Sequence, residues 1–337
     1  MNRFPGETEI TSTLRRFVTK APNIAFLTGS GEPSIYRSGD KDFSRFSVMT
    51  TNRNALINQG YDVVQLNLNQ NSFEALKDTA DVLVLTDPKV KLSEENSYKL
   101  LDYIESGGNM LITVEPGRED NVEILFNELG IHSLPGVLVF PEQDFAPTLI
   151  SSLNTNHSID LSFYFRFVLG RPVTMPTAVG LDFELGNKYE VIPVTTTPVR
   201  GAWNEVESTD FLLDTLRFNK DAGEVQRIIP TSFALTRMVN GNEQRIFVVG
   251  DTDCLGNAEL TSKRAGIDSG NEYFVKSIFN WLTYEQVPVN VRRQSPPDNK
   301  IYMSLRQIES SKALINWGIP VIFALIGISI FILRKRN

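Results

Sequence analysis

The chain has 337 residues, enough for two domains with separate cores, and 41% hydrophobic with 22% charged residues is an ordinary globular composition. A net charge of −7 and a pI near 5.1 argue against a general nucleic-acid-binding role. The single cysteine, Cys254, excludes an internal disulfide framework and any cysteine-cluster metal site.

Residues 1–21 form a polar lead-in with a short helical pattern over 11–18 and no apolar core of a signal peptide. Ile24-Ala25-Phe26-Leu27 reads as a strand ending in Thr28-Gly29-Ser30-Gly31-Glu32. A helix is predicted over residues 44–59, closed by Gly60, and residues 61–68 alternate as a second strand. Val82-Leu83-Val84-Leu85 is an apolar run without alternation, the pattern of a strand buried on both faces. Ser93 caps a helix with Glu94 and Glu95 in its first turn, an apolar stripe at Leu100, Leu101 and Ile104, and a stop at Gly107-Gly108. Residues 110–114 are the next strand, running into Glu115-Pro116-Gly117. Strand, crossover helix and strand make a βαβ unit, which predicts a parallel sheet covered by helices. A helix over 122–129 and a strand over 131–139 continue the alternation. Residues 22–145 are therefore expected to be an α/β domain with a mainly parallel sheet and helices on both faces.

The signals then change. FYFRFVLG, VTMPTAVGLDF and YEVIPVTTTPV, between residues 159 and 199, are rich in aromatic and β-branched residues and are broken by Gly and Pro. Residues 203–224 read as an exposed loop. Strands over 231–239 and 244–249 flank Asn240-Gly241, a strong hairpin signal, and the second runs into Gly250-Asp251-Thr252-Asp253. An amphipathic helix over 272–282 follows. Residues 146–293 are thus expected to form a β-rich α+β region whose segment 246–249 joins or abuts the first sheet.

A linker with Ser295-Pro296-Pro297 (residues 294–313) leads to LINWGIPVIFALIGISIFIL, residues 314–333. At about 1.5 Å per residue this stretch spans about 30 Å, enough to cross a hydrocarbon core. Trp317 suits an interface, and the tail 334–337 carries Arg334, Lys335 and Arg336 as a basic stop. The segment reads as a lipid-embedded membrane anchor. The basic tail places the C-terminus in the cytoplasm and the folded part outside the inner (cytoplasmic) membrane. A lone C-terminal span without a signal peptide does not readily export what precedes it, so two topologies stay open: an upstream membrane region, or a tail-anchored cytosolic domain.

Two groups of residues could carry chemistry. In Thr28-Gly29-Ser30-Gly31-Glu32 the backbone amides of Gly29 and Gly31 follow a strand, at the end of the sheet where α/β folds bind ligands. It is no dinucleotide fingerprint, because Ser34 takes the third glycine position and Glu32 would repel phosphate. A glycine turn fits better. Asp87, Glu115, Asp251 and Asp253 also follow strands and, with Glu32, are candidates for a small ligand or a hard cation such as Mg²⁺ or Ca²⁺ if the strands are neighbours. The competing role is turn organisation, in which Asp251 and Asp253 bond nearby backbone amides. Nucleophilic catalysis has little support. His132 and His157 lie in no motif, and Cys254 lacks a nucleophile elbow and sits beside acids that raise a thiol's pKa. No Walker A motif is present, so an associated ATPase would be a separate chain.

TGSGE, ADVLVLTDPK before a Ser-Glu-Glu helix, YIESGGNMLITVEP, VVGDTDCLGN, residues 271–282, Arg292-Arg293 and the terminal span with Arg-Lys-Arg together resemble the GldG family. Members are auxiliary components of ABC transport systems described for gliding motility, and their soluble part is similar to the domain of IFT-52-type intraflagellar transport proteins. The resemblance implies a glutamine-amidotransferase-like or flavodoxin-like first domain, no catalytic residues and no cofactor. It implies a periplasmic domain and partners in an ABC permease and a separate ATPase. The reading is a non-enzymatic, membrane-anchored transporter subunit that docks onto permease or envelope partners. The alternative is an amidotransferase-like or hydrolase-like enzyme using the acidic strand ends.

Overall fold

The computed structural model describes residues 7–208, 210–211, 216–289 and 303–336, in two compact units, Met1–Asn290 and Val291–Asn337. Arg292, Arg293 and the Ser295-Pro296-Pro297 stretch lie outside the described residues. In the first unit the strands are β1 (Asn23–Thr28), β2 (Asp62–Asn67), β3 (Val82–Thr86), β4 (Asn109–Thr113), β5 (Ile131–Ser133), β6 (Val137–Val139), β7 (Ile150–Asn154), β8 (Val173–Met175), β9 (Leu181–Phe183), β10 (Glu190–Thr196), β11 (Trp203–Glu205), β12 (Pro230–Val239) and β13 (Asn242–Val249).

β3 and β4 are buried along their whole length because helices cover both faces of the sheet around them. Alternate side chains face opposite ways, as the pleat requires. Ala25, Leu27, Leu83, Leu85, Met110 and Ile112 pack with the helices Phe73–Thr79, Glu94–Glu105 and Glu123–Leu129. Ile24, Phe26, Val82, Val84 and Leu111 pack on the other side with Phe43, Phe46, Leu56 and the helix Asn271–Leu282. There the rings of Phe26, Phe43, Phe46 and Phe279 meet at centroid distances of 5.3 to 6.3 Å. The Ser93 hydroxyl accepts the Asn96 N–H at 3.2 Å, so the crossover helix starts where its cap predicts. β3 and β4 are adjacent and parallel, with Val82 opposite Asn109.

The expectation of a mainly parallel, amidotransferase- or flavodoxin-like sheet is wrong. The main sheet is mixed, in the order β2-β1-β3-β4-β13-β12-β10-β7-β8. Its first four pairings are parallel and the other four antiparallel. The small sheets β5-β9 and β6-β11 are also antiparallel, so among the described residues antiparallel pairings outnumber parallel ones six to four. The physical reason lies in the hairpin. β13 docks parallel to β4 through Ile246–Val249, but the turn at Asn240 (φ 51°) and Gly241 (φ 81°) reverses the chain and leaves β12 antiparallel. Beyond β12 the sheet is extended by β10, β7 and β8, which precede the hairpin in sequence and are all paired antiparallel.

Other local readings also change. The helix expected over 44–59 is two single turns, Ser44–Ser47 and Leu56–Gln59, and Asn52 bonds back to the Arg45 carbonyl at 2.9 Å between them. Leu134-Pro135-Gly136 splits the strand expected over 131–139 into β5 and β6, which join neither each other nor the main sheet. FYFRF is a 3₁₀ helix, Phe163–Phe167. Within the loop expected over 203–224 lie β11 and a 3₁₀ turn, Lys220–Ala222.

In the second unit Ser304 caps Leu305–Ala313, which passes through a π-helical turn, Leu314–Gly318, into Ile319–Arg336. Arg306–Lys335, 30 residues, is long and apolar enough to cross a membrane. Trp317 lies near the start of the apolar stretch, and Arg334 and Lys335 lie in its last turn.

Candidate functional site

β1 is flanked by β2 on one side and β3 on the other, so the crevice beyond the carboxyl ends of β1 and β3 is where an α/β sheet offers a ligand site. Here the chain closes it. The Lys89 and Val90 amides donate to the Ser30 carbonyl at 2.7 and 3.3 Å, tying the two loops together. Gly29 (φ 126°) and Gly31 (φ 86°) take conformations that suit glycine, and a Cβ at Gly31 would come within 2.9 Å of the Lys89 side chain. Thr28 ends β1 with its hydroxyl donating to the Leu66 carbonyl at 3.3 Å. Glu32 folds back and its Oε2 accepts the Ser30 amide at 2.8 Å, so the position an anion would take is held by the loop's own carboxylate. Burial, the largest cause, pushes the Glu32 carboxyl above its ordinary pKa.

Asp87 follows β3 at a positive φ of 42°, a conformation Asp tolerates, and only 2% of it is exposed. Its carboxylate accepts Arg118 Nε and Nη2 as a fork, the latter at 2.9 Å, and Lys89 Nζ as well. Arg118 comes from the turn after β4, so this ion pair joins the ends of adjacent strands.

Glu115, Asp251 and Asp253 gather at the ends of β4 and β13. Glu115 Oε1 accepts the amides of Thr252 at 2.7 Å and Asp253 at 3.0 Å, and its Oε2 accepts the Thr177 hydroxyl at 2.9 Å. Fully buried Asp251 accepts the Thr177 amide at 3.1 Å and the Cys254 amide at 2.5 Å. Asp253 pairs with Lys41 at 2.7 Å. Burial and then the charge of Asp253 push the Glu115 carboxyl up to about 7. Burial first, then Glu115, pushes Asp251 well above the usual carboxylate range.

The structure thus brings Glu115, Asp251 and Asp253 together, holds Asp87 in a separate cationic cradle and turns Glu32 into its own loop. Among the described residues no group of three or more His, Cys, Asp or Glu side chains is arranged to hold a metal ion. Cys254 is buried with its Sγ on the Asp251 carbonyl at 3.2 Å, and burial and the surrounding carboxylates push its thiol well above the ordinary value. His132 faces Glu184 at 3.1 Å, away from these loops on β5. Sequence reasoning missed Arg118, Lys41, Lys89 and Thr177. Lys89 and Arg118 stand just after Asp87-Pro88 and Pro116-Gly117, turns already recognised, whereas nothing local marks Thr177 or Lys41.

The fold resembles the N-terminal domain of mmIFT52, with a TM-score of 0.54, 17% identity, and coverage of 77% of this chain and 97% of that one. Looser likenesses are an exo-beta-1,4-mannosidase, Op5Man5, from an Opitutaceae bacterium (TM-score 0.37, 10% identity, 82% of this chain and 37% of that one) and a putative ThuA-like protein from Parabacteroides merdae (TM-score 0.40, 12% identity, 83% and 94%). No curated protein matches the sequence. Residues 21–173, from just before β1 to the first residue of β8, match the model of the ABC_transp_aux family, described as an ABC-type uncharacterized transport system, and the matched stretch carries Glu32, Asp87, Glu115 and Arg118.

Proposed function

We propose that this chain is a non-enzymatic auxiliary subunit of an ABC transporter, anchored by its C-terminal helix and acting through the surface of its folded unit. The observation that carries this reading is the match of residues 21–173 to the ABC-type transport family. The apolar helix Arg306–Lys335 supports it, because a tethered domain meets a membrane-embedded permease at high effective concentration and works through weak contacts. The state of the strand-end carboxylates supports it too. Glu115, Asp251 and Asp87 already accept donors from their own chain, and Cys254 is buried, so these side chains are engaged in holding the strand-end loops. In this reading those carboxylates, with Glu32 and Asp253, set the shape of the loops that partners meet. The partners are a permease and a separate ATPase. The folded unit lies on the outer side of the inner membrane, as in the GldG-type systems.

Affinity purification of the full chain from detergent-solubilised native membranes tests this. A permease and an ATPase should co-purify, and added protease should cut the folded unit once the outer envelope is opened. Recovery of the chain without either transporter component would refute the subunit role. Protection of the folded unit in spheroplasts would place it on the cytoplasmic side.

A further inference from the structure

The helix Glu7–Arg15 lies on the folded unit with its polar side down. Ser12 is fully buried and its hydroxyl accepts the Val289 amide at 3.0 Å. Arg15 donates to the Gln286 carbonyl, and Arg16, in the turn that continues the helix, pairs with Asp62. The opposite side carries Ile10, Leu14, Phe17 and Val18, which are 49%, 59%, 83% and 81% exposed. The turn after Arg15 keeps the helical path, with the Phe17 and Val18 amides on the carbonyls of Leu14 and Arg15 at 3.1 and 2.9 Å. Positions i, i+4, i+7 and i+8 share one face, so these four side chains form a continuous apolar stripe. A surface helix normally buries such a stripe and exposes its polar side. This helix is inverted, which marks a surface built to be covered.

Its location says by what. Ser12 and Arg15 hold the chain at residues 286–289, the last described residues of the folded unit, and the helix that continues into the apolar span starts at Leu305. Sixteen peptide steps from 289 to 305 extend at most about 58 Å, which sets the length of the tether between this end of the unit and the span. Arg15 and Arg16 are held by the Gln286 carbonyl and Asp62 on the docked side, and Lys20 follows the stripe in sequence. An exposed apolar stripe bearing Phe, Leu and Ile is the pattern of an element that lies in the headgroup region of a membrane.

We infer that Ile10, Leu14, Phe17 and Val18 insert into the surface of the same bilayer that holds Arg306–Lys335, fixing how the folded unit stands on the membrane. The affinity of so short a stripe is small in isolation, and the tether supplies the high local concentration that makes it effective. Spin labels on the full chain test this. Cys254→Ser is combined with Leu14→Cys or Phe17→Cys, and with Leu185→Cys as a control at a site that is 95% exposed. The labelled chains are reconstituted in vesicles of phosphatidylcholine and phosphatidylglycerol, and collision with oxygen, which concentrates in lipid, is compared with collision with a water-soluble nickel chelate. Labels at 14 and 17 should favour oxygen severalfold over the label at 185, and Leu14→Glu should restore nickel access at 17. Nickel access at 14 and 17 equal to that at 185 would overturn the inference. Exclusion of both reagents would overturn it too, because a protein segment or a second copy would then cover the stripe.

Discussion

Glu115, just beyond β4, accepts the backbone N–H of Thr252, just beyond β13, at 2.7 Å, which locks together the carboxyl ends of two parallel strands 137 residues apart in sequence. The hydroxyls of Thr113 and Thr252 meet at 2.6 Å beside this bond, and Thr177 reaches in from a third segment to bind both Glu115 and Asp251. The clustered carboxylates therefore work first as a clasp between strand ends.

This clasp carries a pH signature. The Glu115 carboxyl titrates at about 7 in the folded chain, against an ordinary value of 4.5, so the native state holds its proton more tightly than the unfolded state. From about pH 4.5 to about pH 7 the unfolded chain carries fewer protons here, so this group lowers stability as pH rises, and the loss is complete above about pH 7. The neutral acid keeps its contacts, because Oε2 can donate to the Thr177 hydroxyl. Thermal unfolding of the full chain in detergent should show a melting temperature that falls more between about pH 5 and about pH 8 in the wild type than in Glu115→Gln. Parallel curves would exclude Glu115 as the titrating group.

Asp87→Ala should destabilise the folded unit by about 2–3 kcal/mol, below the usual 3–5 kcal/mol for breaking a buried ion pair because Arg118 reaches solvent. The Arg118 side chain is 31% exposed and can rehydrate once unpaired. Asp87→Asn should cost about half as much, since Asn accepts one of the bonds and tolerates the positive φ. Urea unfolding measures both, and equal losses would mean that the backbone conformation, not the ion pair, matters.

Cys254 should be inert in the native protein. Its thiol is buried and its pKa is pushed up, so alkylation by a thiolate-selective reagent should proceed only as fast as the unit unfolds. Cys254→Ser should leave any transport function intact and cost about 1 kcal/mol. Rapid labelling of the folded chain, followed by mass spectrometry, would contradict this.

Gly250 sits where β13 meets the segment before β9, and a Cβ there would lie 2.3 Å from the Val179 carbonyl oxygen. That carbonyl is backbone and cannot swing aside, so Gly250→Ala should cost about 3 kcal/mol or more and split β13 from residue 179. The Val179 amide, which donates to the Gly250 carbonyl at 2.7 Å, should lose its hydrogen-exchange protection first.

Removing residues 303–337 should move the protein from the membrane pellet to the soluble fraction while its unfolding stays cooperative. Among the described residues, those that form the core clusters of the folded unit all lie before residue 290. Fractionation followed by a melting curve checks both halves of this expectation.

The features legible in the sequence were those whose cause is local. The unalternated run at Val82–Thr86, the Ser93 cap, the Asn240-Gly241 turn and the apolar helix after residue 313 each depend on a few adjacent side chains, so each was read correctly as an element. The mixed sheet was not legible, because parallel or antiparallel order depends on which free edge the β12-β13 hairpin adds to, and that choice minimises the free energy of the whole core. FYFRF has the composition of a strand, yet it winds into a 3₁₀ helix because the Ser162 hydroxyl caps it and Phe165 stacks on Phe247 at 6.4 Å. The positions of Asp87, Glu115, Asp251 and Asp253 after strands could be read, but their partners could not. Arg118 is 31 residues from Asp87, and Thr177 is 62 from Glu115 and 74 from Asp251. The face turned outward by the helix Glu7–Arg15 was likewise decided by the tertiary structure alone. The sequence shows a short helical pattern in a polar lead-in, and only the buried contact of Ser12 with Val289 shows that Ile10, Leu14, Phe17 and Val18 point away from the core.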